Sequence, residues 1–214
     1  MLSLIVHADD LGLSPGVNAG IHEAHRKGIL TSASLMANGA AFDDAARMAL
    51  ETPSLDIGVH LTLIEETPLL DPVSIPSLVD VDGRFWKHAN VLAGRYLRRA
   101  ISMTEVRLEF EAQIRRVLDR GIVPSHLDSH QHVHMLPQLL QVTIDLARAY
   151  RIPAVRFPAE RLSTYMLTGS APVRVAQMLA LSILSRLQTS PTHLVDHFVG
   201  FYYGGRLNAT NLRQ

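Results

Sequence analysis

The chain has 214 residues, 47% of them apolar, with 20 basic and 20 acidic side chains and zero formal net charge. That length and apolar share suit one folded domain with a sizeable core and exclude a disordered chain. The balanced charge argues against nucleic acid or an acidic membrane surface as a partner. No cysteine is present, which excludes disulfides, thiolate nucleophiles and cysteine-type zinc sites. The N-terminus shows no basic segment followed by a long apolar run, so no secretory signal is expected. The most apolar later stretch, 175–187, is too short and too interrupted to span a bilayer. A cytoplasmic protein without a membrane span is the expectation.

Leu2-Ser3-Leu4-Ile5-Val6 reads as a short buried strand. It runs into His7-Ala8-Asp9-Asp10-Leu11-Gly12, where two adjacent carboxylates repel each other unless a cation or a shared proton intervenes. Ser14 and Pro15 have the chemistry of a helix N-cap and first helical position, Val17, Ile21 and Ala24 form a helical stripe, and Gly28 stops it. Residues 29–37 read as a second strand, leading into the turn Asn38-Gly39. A short helix over 42–50 and a third strand over 55–63 follow, the strand carrying His60.

Residues 65–103 break this rhythm. Pro68, Pro72 and Pro76 predict an extended loop, Asp82-Gly83 a turn, and the chain's single tryptophan, Trp86, comes next. Long insertions of this kind serve as lids or binding loops. Trp86 could stack on a sugar ring or pack the insertion onto the body. The run from Arg95 to Arg99 reads as a solvated helix face. Thr104 is expected to cap a helix with Glu105 in its first turn and a buried stripe of Val106, Phe110, Ile114, Val117 and Leu118, ended by Gly121.

The densest stretch is His126-Leu127-Asp128-Ser129-His130-Gln131-His132-Val133-His134. Its front half reads as a fourth strand, so that alternation puts His126, Asp128 and His130 on one face. Asp128 could orient a ligand histidine from behind, while His132 and His134 could line the site or cap the next helix, which Pro137 opens. A fifth strand over 154–158 carries Arg156. A helix over 172–187 and a sixth strand over 192–198 complete the reading.

Strands alternating with helices predict a parallel α/β fold, with functional groups at the carboxyl ends of the strands. Asp9, Asp10, His60, His130 and Arg156 fall there. One carboxylate and two imidazoles can hold a divalent metal and leave open positions, while a neighbouring free aspartate serves as a base. Those parts suit hydrolysis of an amide or ester. Zinc and magnesium both stay open as the ion.

The motifs Ala8-Asp9-Asp10-Leu11-Gly12, Gly58-Val59-His60-Leu61-Thr62-Leu63, Ile75-Pro76-Ser77-Leu78, Asp82-Gly83-Arg84-Phe85 and the histidine run from His126 to His134 make the chain resemble the YdjC-like carbohydrate deacetylases. The chitooligosaccharide deacetylases are among them. The resemblance covers nearly the whole chain. It implies a single domain over 1–214 built as an irregular, TIM-barrel-like (β/α) barrel, with one divalent metal held by Asp10, His60 and His130. The implied reaction removes acetyl groups from chito-oligosaccharides or N-acetylglucosaminyl conjugates. Similarity to NodB-type polysaccharide deacetylases implies Asp9 as the general base, and Arg156, by its strand-end position, is a candidate to orient it. The family pattern continues into a further strand with a Cys-His-Pro segment whose histidine is a candidate general acid, and this chain has none. The expectation is therefore a truncated barrel, or one that closes differently, with exposed edge strands that favour a homodimer. Two other readings are a non-catalytic sugar- or metal-binding variant and another metal-dependent amidohydrolase.

Overall fold

The structure, a computed structural model, describes residues 4–158, 160, 179 and 198–200. The chain divides into two compact units, Met1–Val155 and Arg156–Gln214. In the second, Glu160 is buried and forms an isolated parallel bridge with Phe198, and its carboxylate accepts from the Gly200 N–H at 3.1 Å. The helix expected over 172–187 and most of the sixth strand lie outside the described residues, as does any closure of a barrel.

The first unit is a five-stranded, all-parallel sheet in the order β1-β2-β3-β4-β5. The strands are β1 (His7–Leu11), β2 (Ser32–Leu35), β3 (Asp56–Leu61), β4 (His126–Ser129) and β5 (Ala154–Val155). Between them run α1 (Pro15–Lys27), α2 (Phe42–Glu51), α3 (Ala89–Leu97), α4 (Met103–Leu118) and α5 (Pro137–Ala149). The predicted parallel α/β class is the observed one. Apolar side chains of the strands are buried, among them Leu35, Val59, Leu61 and Leu127, and the core also holds Phe110 and Ile114 of α4 and Leu140 and Ile144 of α5.

Helix α1 begins and ends where its sequence predicts. Ser14 Oγ accepts from the Val17 N–H at 3.3 Å, Pro15 opens the first turn, and Gly28 closes the last. The first strand is displaced from its expected place, however. Leu4 and Ile5 are exposed, and pairing runs over His7–Leu11 instead. Strand position follows the backbone ladder with β2, which Val6 enters only through Thr31 and Ser32. The cap of α4 is Ser102 rather than Thr104, its Oγ accepting from the Glu105 N–H at 3.4 Å. The 65–103 segment also carries α3, whose last turn overlaps the Arg95–Arg99 run expected on a helix face.

Helix α4 also buries two polar residues that hydrophobic periodicity passes over. Gln113 makes both hydrogen bonds to the Thr62 backbone, each at 2.8 Å, and donates to Glu109. Glu109 is fully buried and accepts from the N–H groups of Leu69 and Leu70 at 3.0 and 3.1 Å. Burial pushes its pKa up, against the hydrogen bonds that favour the carboxylate. These two side chains clamp the end of β3 and the start of the 65–103 segment onto α4. Glu109→Ala leaves two backbone N–H groups without an acceptor and is expected to cost about 3 kcal/mol. Chemical denaturation checks this, and a loss below ~1 kcal/mol would refute the clamp.

Candidate metal centre

Two adjacent strand residues normally point to opposite faces, yet Asp9 and Asp10 both reach the same imidazole. The cause is a bulge. The β1–β2 register shifts between Ala8 and Leu11, and Asp10 takes a left-handed conformation with φ 64°. Asp10 Oδ1 thereby lies 3.2 Å from His60 Nε2, while Asp9 joins His60 and Asp128 in a second group whose ligand atoms all lie within 4.8 Å. Asn18 fixes the chain after the bulge, its Oδ1 accepting from the Gly12 N–H at 2.8 Å and its Nδ2 donating to the Ala41 carbonyl and Asp44.

His60 and Asp128 are register partners on β3 and β4, near the carboxyl ends of both strands. Asp128 Oδ1 lies 2.7 Å from His60 Nδ1, with both side chains buried. The other oxygen of Asp128 accepts from Ser34 Oγ at 2.5 Å, and His7 Nε2 lies 2.6 Å from that hydroxyl. His7 Nε2 is also 3.3 Å from Asp9 Oδ1. His130 does not end the strand as expected. It opens a 3-10 segment, His130–Met135, and its Nδ1 lies 2.8 Å from Asp10 Oδ1.

Asp10, His60 and His130 thus offer one carboxylate oxygen and two imidazole nitrogens within 4.8 Å of one another. Their electrostatics call for a cation. Burial by itself lowers the His60 pKa, but Asp128 and Asp10 outweigh it and push the value up to about 10. Burial likewise opposes charge on His130, and the Asp10 carboxylate more than reverses this, raising its pKa. Asp10 is raised by burial but driven well below the usual carboxylate range by the hydrogen bonds of the two histidines. An N2O donor set of this kind is chemically suited to a divalent transition ion, so the residues present fit a metal. A neighbouring group, His7, His126 and Asp128, has the same compactness. It suits an ion less well, because both nitrogens of His7 lie within hydrogen-bond reach of the hydroxyls of Ser32 and Ser34.

The remaining predicted residues are placed as follows. His134 is fully buried and tied to Ser129 Oγ through Nδ1 and its backbone N–H. His132 is half-buried with φ 56°. Neither caps α5, whose N-cap is Leu136 without a side-chain bond. Trp86 is half-buried, and Arg95 Cζ sits 4.3 Å from its ring centroid, so one face of the indole is already covered. Arg156 belongs to the second unit and is half-buried. The site residue that sequence reasoning missed is Glu65, whose carboxylate lies 3.1 Å from His130 Nε2. Its position just after the strand that carries His60 was the available signal.

Gly58 shows how closely the neighbouring histidine is packed. A Cβ built there would lie 2.3 Å from His126 Nε2. Gly58→Ala must therefore displace a half-buried ring that stands edge-on to His7 with centroids 5.1 Å apart. The expected loss is about 1–3 kcal/mol of stability, read by thermal or chemical unfolding. Wild-type stability in Gly58→Ala would contradict this packing.

Comparison with known proteins extends the picture. The sequence profile described as YdjC-like protein matches residues 3–214. A carbohydrate deacetylase of Brevibacillus brevis is 43% identical over 157 residues, covering 73% of this chain and 60% of the relative. One from Geobacillus stearothermophilus is 44% identical over 149 residues, covering 70% of this chain and 57% of the relative. The chain therefore spans about 60% of the length of these curated relatives. A crystal structure from Enterococcus faecalis V583, provisionally described as a cellobiose-phosphate cleavage protein, aligns with a TM-score of 0.71 and 30% identity. That alignment covers 97% of this chain and 72% of the other. Among the described residues no helix is long and apolar enough to cross a membrane.

Proposed function

The chain belongs to the family of YdjC-like proteins, and on that premise we propose that it is a metal-dependent hydrolase that removes acetyl groups from N-acetylated carbohydrates. The observation that carries the reading is the convergence of one ligand atom each of Asp10, His60 and His130 within 4.8 Å, with Asp10 Oδ1 3.2 Å from His60 Nε2 and 2.8 Å from His130 Nδ1 and a second aspartate beside them. The name carbohydrate deacetylase, borne by relatives 43% and 44% identical, supplies the substrate class.

Asp10, His60 and His130 would hold the ion, and the two nitrogen donors favour zinc over magnesium. A divalent ion held there supplies Lewis acidity, which makes water easier to deprotonate and polarises an amide carbonyl. Asp128 holds the His60 ring by its Nδ1–H, leaving Nε2 to face the ion. Asp9, with 41% of its side chain exposed, takes the proton of the attacking water. His7, 3.3 Å from Asp9 Oδ1, steadies that carboxylate. Hydrolysis breaks the amide C–N bond and yields acetate and the free amino sugar.

Acetate release from an N-acetylglucosamine oligomer tests this reading. The chain should release acetate, lose that activity on exposure to a chelator, and regain it with added zinc. Release that survives complete metal removal would contradict the metal, and no release from N-acetylated sugars with metal present would contradict the reaction.

A further inference from the structure

Resting on the reading of Asp10, His60 and His130 as metal ligands, we propose that Glu65 is a positioning residue that sets the tautomer and ring orientation of His130. The two nitrogens of His130 face two different carboxylates. Nδ1 lies 2.8 Å from Asp10 Oδ1, and Nε2 lies 3.1 Å from Glu65 Oε2. An ionised carboxylate only accepts hydrogen bonds. Asp10 and Glu65 can each accept an N–H of this ring, so once Nδ1 is given to an ion beside Asp10 and His60, Glu65 keeps the ring hydrogen on Nε2. Asp128 does the same for His60 on the opposite nitrogen, holding Nδ1 and freeing Nε2. Each ligand imidazole is thus backed by its own carboxylate.

Glu65 is itself held in place. Its other oxygen accepts from Gln131 Nε2 at 2.7 Å, and its backbone N–H donates to the Trp86 carbonyl at 3.1 Å. The backbone gives independent support. Six described residues other than glycine have positive φ. Arg99 and Arg151 lie just past the ends of α3 and α5, where left-handed residues are common caps. The other four, Asp10, Glu65, Gln131 and His132, are in or next to this contact. Left-handed backbone at residues other than glycine persists where the surroundings over-determine it, and it clusters at functional sites. Here it aims the side chains of Asp10 and Glu65 at the two nitrogens of one ring.

Zinc titration by calorimetry tests the proposal, with Glu65→Ala, Glu65→Gln and wild type compared. Thermal unfolding of the metal-free proteins serves as the control for folding. Glu65→Ala should bind zinc about 10–100-fold more weakly, and Glu65→Gln, which keeps an acceptor without the charge, should lose less. In the zinc-loaded wild type, imidazole 15N shifts should place the His130 ring hydrogen on Nε2. Should Glu65→Ala upset folding, Glu65→Gln and the wild-type 15N shifts still decide. Zinc affinity unchanged in both variants, or a ring hydrogen on Nδ1, overturns the role of Glu65 while leaving the metal site standing. Wild type that binds no zinc overturns both.

Discussion

His130→Ala is expected to lose tight zinc binding, by more than the ~10–100-fold that removal of an outer partner costs, while the chain keeps its fold. The reason is the ring's position. His130 supplies one of three converging donor atoms, and it opens the 3-10 segment after β4 instead of lying inside the sheet. Its removal deletes a ligand without cutting into the strand ladder. His60→Ala should lose the metal equally but should also unfold more readily. His60 is buried between Asp128 and Asp10, and deleting it takes the 2.7 Å imidazole partner from Oδ1 of the fully buried Asp128 carboxylate, a change that costs about 3–5 kcal/mol. Calorimetric zinc titration paired with chemical denaturation separates the two variants. Zinc affinity within twofold of wild type in His130→Ala would contradict the ligand set. Equal stability losses in both variants would contradict the distinction drawn between them.

Asp9→Asn should reduce kcat for deacetylation by about 10²–10⁴-fold and leave zinc affinity nearly unchanged. Asp10→Asn should instead lose zinc. The two aspartates are sequence neighbours with the same chemistry, so their opposite responses follow from the bulge alone. The left-handed turn at Asp10 sends its oxygen between His60 and His130, and Asp9 is left beside His7 with much of its side chain exposed. Had β1 been regular, one of the pair would face away from the site and only one could matter. Kinetics on the N-acetylated oligomer together with zinc titration of both variants decide this. Loss of zinc in Asp9→Asn, or full turnover by it, would reverse or remove the assigned roles.

The parts of this molecule that were legible in the sequence share a cause. Ser14, Pro15 and Gly28 act through local backbone chemistry, so α1 could be bounded without knowledge of anything else. The parallel α/β class followed from alternating strand and helix patterns. The convergence of Asp10, His60 and His130 was legible because each residue sits at or just past the carboxyl end of a strand, and parallel strands bring those ends to one edge. What the sequence concealed depends on partners distant in the chain. Glu109 and Gln113 look like surface residues of an amphipathic helix, and only the backbone groups of Thr62, Leu69 and Leu70 that they satisfy explain their burial. Asn18 is buried for the same reason, because it satisfies Gly12 and Ala41. The bulge at Asp10 carries no local signature beyond the Asp-Asp pair itself. Glu65 lay at the start of a segment expected to be a loop, and its bond to His130 spans 65 positions of sequence. Leu4 and Ile5 mislead in the opposite direction, since their apolar run predicts a strand while the pairing lies just beyond it.

The central claim is that Asp10, His60 and His130 together hold one divalent ion. Anomalous diffraction at the zinc edge, from crystals of the chain grown with zinc, tests it most directly. The account predicts one strong peak about 2.0–2.2 Å from a carboxylate oxygen of Asp10, from His60 Nε2 and from His130 Nδ1. A peak bounded instead by His7, His126 and Asp128, or zinc-containing crystals with no peak at either group, would contradict it.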